Sequence, residues 1–149
     1  MRGAWIGFSW AHTRNHFFRA MLESIGYEYA WYLRILRGLS PELNLVEARV
    51  IGGGARNDTW NQIKSDILSV PYAQLARKEC ATWGSAMIAG KASGLITDLA
   101  GTATELAPLS GKVSSPNSTL RAIYDATLER YLCWQQRLKA GFETYDKRN

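Results

Sequence analysis

The sequence predicts an α/β chain with few strands and about four main helices. Three observations carry that expectation. A β-type run at Ala48–Ile51 leads straight into Gly52, Gly53 and Gly54 and then into an amphipathic stretch opened by Asn57 and Asp58. Strand, tight turn and helix in that order form the repeating unit of α/β folds. Four longer stretches space their apolar residues three and four apart, the period of a helix packed on one side. A second short β-type run, Tyr72–Ala76, follows Pro71 where one of those stretches ends.

The first segment, GAWIGFSW, reads as extended or strand-like. A long helix is expected from about Thr13 to Arg37. Phe18, Met21, Leu22, Ile25, Tyr29, Tyr32, Leu33 and Leu36 fall on one stripe of it, and Gly38 and Pro41 end it. Gly26 interrupts that helix at about 1 kcal/mol relative to alanine, which predicts close packing or a kink. The second helix is capped by Asn57 or Asp58, repeats Trp60, Ile63 and Ile67 on one face and stops at Pro71. A third is expected from about Ala81 to Ser93, with Gly94 at its end. Its many small residues, among them Gly84, Ser85, Ala89 and Gly90, suit either a close helix–helix approach or ordinary packing on a sheet. Residues 97–117 read as a polar surface loop. The last helix spans about Ser118–Ala140, with Leu120, Ile123, Tyr124, Thr127, Leu128, Tyr131 and Leu138 largely on one face. A charged tail after Gly141 is expected to fray.

A length of 149 residues suits one domain with its own core, and 46% hydrophobic with 21% charged residues excludes a disordered chain. The net charge of +5 is scattered, with no basic run longer than Arg77-Lys78 or Lys147-Arg148. Nucleic-acid binders concentrate such charge on one face, so no nucleic-acid partner is expected. Cys80 and Cys133 lack metal or redox spacing and read as reduced core thiols. His12 and His16, four apart, share a helix face without an intervening HExxH-type glutamate, so no metal site is expected there. No apolar run reaches the ~20 residues of a membrane span and no secretory leader is evident, so no membrane partner and a cytoplasmic location are expected.

The glycine turn is the strongest chemical signal. Without Cβ atoms its backbone tolerates positive φ and lets a ligand lie directly against it. The helix that follows offers unpaired N–H groups and a positive dipole end, a resting place for phosphate. A dinucleotide fingerprint fits poorly, since Asn57 stands where the third glycine belongs, and no Gly-Lys-Ser/Thr supports a Walker-type loop. Asp66 and Glu79 read as surface helix or loop carboxylates, Asp66 solvated or salt-bridged, and no residue is assigned as catalytic.

The order of motifs resembles the C-terminal half of the FGGY carbohydrate kinases, most of all the xylulokinase-type members. GAWIGFSWAHTRNHFFRAMLE (Gly3–Glu23) is similar to the family's second signature, with Gly3, Trp5, Gly7, His16, Ala20 and Glu23 at the expected spacing and Phe8 where a smaller aliphatic is usual. The glycine turn resembles the adenosine motif of the actin/hexokinase/Hsp70-like ATPases. ECATWGSAMIAGKASGL (Glu79–Leu95) looks like the segment carrying the second connecting helix.

The resemblance implies a truncated RNase H-like domain over 1–149: the nucleotide-side part of a kinase that transfers phosphate from MgATP to a sugar hydroxyl, xylulose first among candidates. By the same resemblance, Gly52, Gly53 and Gly54 pass close to the α-phosphate and adenine, Ala55 leaves room for the base, and Asn57 or Asp58 contacts adenine or ribose. Helix capping is the alternative role for that last pair. The N-terminal sugar-binding domain, with its catalytic aspartate and the parts that hold Mg²⁺, is expected to lie elsewhere, leaving this chain inactive alone. Two other readings stand beside it: a non-catalytic remnant that associates with itself or another chain through uncovered surfaces, and a Rossmann-type dinucleotide binder.

Overall fold

The computed structural model describes residues 3–77 and 79–146, with side chains as far as Glu143. Five α-helices and one sheet of three strands make up the described residues, so the α/β class holds. Helix α1 is Arg14–Leu39; strand β1 is Ala48–Val50; helix α2 is Asp58–Leu68; strand β2 is Tyr72–Leu75. Helix α3 (Cys80–Ala92), helix α4 (Leu99–Leu106), strand β3 (Leu109–Ser114) and helix α5 (Arg121–Asp146) follow. The chain forms two compact units, one of residues up to Leu43 with Asp66–Ser69 and the segment from Asn117 onward, the other of Asn44–Ser65 and Val70–Pro116.

In the second unit β1 and β2 run parallel, pairing Ala48 with Tyr72 and Val50 with Gln74. Parallel neighbours need a crossover, and α2 supplies it. Strand β3 lies antiparallel on the other side of β2, pairing Val113 with Ala73 and Ser114 with Tyr72. Ala73, Val70, Tyr72 and Ile63 are almost fully buried where α2 covers this sheet. Ser65 donates its hydroxyl to the carbonyls of Val70 (2.8 Å) and Ser114 (2.9 Å), tying helix, turn and strand together.

In the first unit α1 and α5 share a core of polar-tipped aromatics. Tyr27 packs on Tyr131 (5.3 Å between ring centroids) and on Tyr124 (6.4 Å). The Tyr131 hydroxyl donates to Glu28 at 2.6 Å, and Arg19 donates to the Tyr124 hydroxyl at 2.6 Å. Gly26 has the close packing its place demanded: a Cβ there would sit 2.6 Å from Ile67 Cδ1. No kink is needed.

Several expectations are corrected. The opening segment forms no strand; it bends at Gly7, whose φ is +78°. Helix α1 continues through Gly38. Most of the predicted stripe on α1 is not its buried face: Phe18, Met21, Ile25, Tyr29, Tyr32 and Leu36 are exposed, while Leu33 of that stripe is buried together with Gly26 and Tyr27. On α5, Tyr124 and Leu128 are buried but Ile123 is 60% exposed. Helix α3 buries no residue; a Cβ at its Gly90 would meet Ile96 closely, and one at Gly84 would meet nothing within 4 Å.

Residues 97–117, expected as loop, contain α4 and β3. Asp98 caps α4 by accepting the Gly101 N–H at 3.0 Å, and the Asp98 carbonyl accepts the Thr102 hydroxyl. The first is an N-terminal helix signal carried by a single side chain, at the head of a helix of only eight residues. Cys133 is exposed and Cys80 half-buried, so neither is a core thiol. Asp66 is buried and accepts the Asn117 N–H at 2.8 Å rather than lying in solvent. Helix α5 runs past Gly141 to Asp146, and the last three residues of the expected tail lie outside the described residues.

Burial pushes the Tyr27 and Tyr131 phenols above the ordinary phenolic range, and the Glu28 bond adds to the effect at Tyr131. An acid whose folded pKa is raised stabilises the fold fully below its unfolded pKa, near ~10 for tyrosine, and loses that contribution as pH rises further. The thermal midpoint should therefore fall between pH 9 and 11.5, and Tyr27→Phe should reduce the fall. An equal fall in the variant would mean that Tyr27 is not among the groups responsible.

Candidate functional site

The glycine turn adopts three different solutions at three successive positions. Gly52 has φ +81° and ψ −171°, a conformation closed to side chains, and nothing lies within 4 Å of where its Cβ would be. Gly53 opens a 3-10 turn, Gly53–Arg56, and faces equally open space. Gly54 is required by packing instead. A Cβ there would lie 2.7 Å from Trp60 Cζ3 and 3.3 Å from Cε3. Gly52 and Gly53 thus present bare, exposed main chain on the approach to α2, while Gly54 lets the turn rest on an aromatic ring.

Asn57 caps α2. Its Oδ1 accepts the Trp60 N–H at 2.9 Å, which leaves its Nδ2 as a donor with no described partner. Asp58 begins the helix fully exposed. Its Oδ1 accepts from Gln74 Nε2 at 2.8 Å and its Oδ2 lies 3.4 Å from Lys112 Nζ. The Gln74 bond, followed by the Lys112 charge, holds this carboxyl below the usual carboxylate range. Asp58 is therefore already engaged, whereas Asn57 carries a cap and an unused amide donor.

Ala55 is placed differently from its exposed neighbours. It is buried, and its carbonyl accepts Asn61 Nδ2 at 2.7 Å. Asn61 is itself fully buried and its Oδ1 has no hydrogen-bond partner. The structure thus gathers Gly52, Gly53, Asn57 and Asp58 at the exposed end of α2, with Ala55 and Gly54 beneath them.

Sequence reasoning missed four residues that shape this end. Gln74 and Lys112 occupy the Asp58 carboxylate from β2 and β3, and β3 had been read as loop. Asn61 braces the turn from inside the helix, at a position where an apolar repeat gives no cue. Lys64 is buried with its ammonium 4.4 Å from the centroid of the Trp60 ring and 5.3 Å from that of Tyr72. Burial pulls its pKa down. Its cation steadies the ring on which Gly54 rests.

His12 and His16 each accept a backbone N–H at Nδ1, from Ser9 at 2.9 Å and from Thr13 at 3.0 Å. Among the described residues no three His, Cys, Asp or Glu side chains converge to hold a metal ion. No described helix is long and apolar enough to cross a membrane.

Comparison with known proteins places the chain in a family. Residues 1–93, which include the glycine turn, α2 and α3, match the FGGY family of carbohydrate kinases, C-terminal domain. Xylulose kinase of Bacillus subtilis is 35% identical over 99 residues, which are 66% of this chain and 19% of that protein. The chain spans about a fifth of the length of the curated relatives it matches. A crystal structure of ligand-bound xylulose kinase from Lactobacillus acidophilus superposes with a TM-score of 0.80 over 97% of this chain and 29% of that one, at 23% identity. Plasmodium falciparum glycerol kinase with ADP superposes with a TM-score of 0.66 over 85% of this chain and 26% of that one, at 24% identity. These are kinases of the actin/hexokinase-like ATPase fold, and the expected fold is theirs. The chain belongs to the FGGY family of carbohydrate kinases and matches its C-terminal domain.

Proposed function

We propose that this chain forms the nucleotide side of an ATP-dependent carbohydrate kinase. Bare main chain at Gly52 and Gly53 receives the α-phosphate and the adenosine, and the N-terminus of α2 supplies positive potential and N–H groups. Asn57 uses Oδ1 for the helix and Nδ2 for the base or ribose. Asp58 stays with Gln74 and Lys112. Ala55 leaves room for the base by its small size, its methyl being turned inward.

The observation that carries this reading is the open space over Gly52 and Gly53, at the head of a capped helix, in a chain of this family. Phosphoryl transfer depends on positioning and on neutralising charge at the transferred group, with Mg²⁺ bridging phosphate oxygens. No carboxylate at the glycine turn is free to act as a base, so the acceptor hydroxyl is activated by other parts of the enzyme. The acceptor is a ketose or related polyol. Xylulose leads because the Bacillus subtilis relative is named for it.

Binding of MgATP, MgADP and NADH to the purified chain tests the assignment by calorimetry. Adenine nucleotide should bind and Gly53→Trp should abolish it, because an indole would fill the open face. Tighter binding of NADH than of ATP would replace the kinase reading with a dinucleotide one. With sugar and MgATP together, the chain alone should release ADP no faster than Gly53→Trp; steady turnover above that variant would contradict its role as one side of a larger site.

A second reading rests on the uncovered stripe of α1, where Phe18, Met21, Ile25, Tyr29, Tyr32 and Leu36 stand exposed. Under it the chain associates rather than binds nucleotide, and light scattering at micromolar concentration should then report a dimer or larger species.

A further inference from the structure

The segment before α1 and the first turn of α1 repeat one device. Ser9-Trp10-Ala11-His12 and Thr13-Arg14-Asn15-His16 are each a hydroxyl residue followed three positions later by histidine. In the first, Ser9 N–H donates to His12 Nδ1 at 2.9 Å and His12 N–H donates to the Ser9 carbonyl at 3.0 Å. In the second, Thr13 N–H donates to His16 Nδ1 at 3.0 Å and His16 N–H to the Thr13 carbonyl at 3.0 Å. The imidazole therefore takes the place that glutamate or glutamine holds in a capping box. The two rings stand edge to face, 5.3 Å apart.

Glutamine in that position accepts at every pH, but imidazole accepts only while neutral. A protonated ring carries hydrogen on both nitrogens and has no lone pair for the backbone. Each ring also has an alternative partner in place. The Ser9 hydroxyl lies 3.1 Å from His12 Nδ1 and the Thr13 hydroxyl 3.0 Å from His16 Nδ1, so a protonated Nδ1 donates to oxygen where the neutral one accepted from nitrogen. The charged groups nearest in sequence are Arg14 and Arg19, and Arg19 is held by Glu23 and Tyr124. Among the described residues no carboxylate pairs with either ring. The segment these turns anchor is apolar: Trp5 and Phe8 pack on Phe17 of α1 at 5.9 and 5.7 Å.

We propose that the tandem Ser9–His12 and Thr13–His16 turns form a proton-sensitive latch, which holds the Trp5–Phe8 segment on the start of α1 at neutral pH and lets it go when both imidazoles are protonated. The device is independent of the nucleotide assignment.

Amide and imidazole resonances of the chain, followed by NMR from pH 8 to pH 5, test it. The Ser9 and Thr13 amide protons should move upfield in step with the imidazole Cε1 protons. Their protection against solvent exchange should fall about three- to tenfold, the loss of one cap each. The His12→Gln, His16→Gln double variant keeps an acceptor at both places and should show neither change. Two results would overturn the latch: amides that stay fixed while the imidazoles titrate, or a double variant that responds like the parent. Ser9 and Thr13 amides already unprotected at pH 8 would overturn it as well.

Discussion

Gly54→Val is expected to lower stability by about 2 kcal/mol, the usual scale for forcing atoms into occupied space, and to remove adenine-nucleotide binding. The cause is local. The new Cβ would lie 2.7 Å from the Trp60 ring, and that ring cannot swing freely because Lys64 stands over it. Gly52→Val is expected to cost a similar amount, about 1–3 kcal/mol, for a different reason. No atom opposes its side chain, but φ +81° with ψ −171° is closed to valine, so the turn must change shape. The two mechanisms separate in a double-mutant cycle. Trp60→Ala should relieve much of the Gly54→Val penalty and none of the Gly52→Val penalty. Chemical denaturation of the three single and two double variants checks this, and equal coupling of Trp60 to both glycines would show the packing argument to be wrong.

Tyr27→Ala is expected to destabilise the first unit by about 3 kcal/mol, in the range for removing a buried aromatic ring. Tyr27 is 5% exposed and touches Tyr124 and Tyr131. Met21→Ala, six positions earlier on α1, should change stability by less than about 0.5 kcal/mol, as surface positions do. Met21 is 52% exposed on the uncovered stripe. The pair also judges the association reading. If copies of the chain cover that stripe, Met21→Ala should cost far more than a surface change, and its cost should grow with protein concentration. Denaturant midpoints measured at two concentrations decide the matter.

What the sequence revealed depended on whether one residue's conformation or a distant surface was at stake. Asn57 at the head of α2, Gly94 after α3 and Gly26 against Ile67 were legible because each requirement is local or leaves a gap in a pattern. The strand–helix–strand order of β1, α2 and β2 was legible for the same reason. The exposed face of α1 was not. Periodicity groups Phe18, Met21, Ile25, Tyr29, Tyr32 and Leu36 on one side, but it carries no information about which side meets a partner. The face that is buried joins Tyr27 and Leu33 to Arg19, Glu23 and Glu28, whose polar ends find Tyr124, Tyr131 and Gln135 across a hundred residues. Strand β3 escaped notice because it is exposed along most of its length and carries Gly111 at a positive φ. With it went Lys112, and so the engagement of Asp58. Gly52 and Gly53 stand bare and open, while the burial of Ala55 beside Asn61 involves a buried polar residue that no pattern announces.

The central claim is that adenine nucleotide lies against the main chain of Gly52 and Gly53 at the head of α2. Backbone amide shifts recorded while MgADP is added to millimolar excess test it most directly. The account predicts saturable shifts concentrated at Gly52–Gly54 and in the first turn of α2, with the Asn57 side-chain amide among the largest. Saturable shifts centred elsewhere, with these amides unmoved, would contradict it.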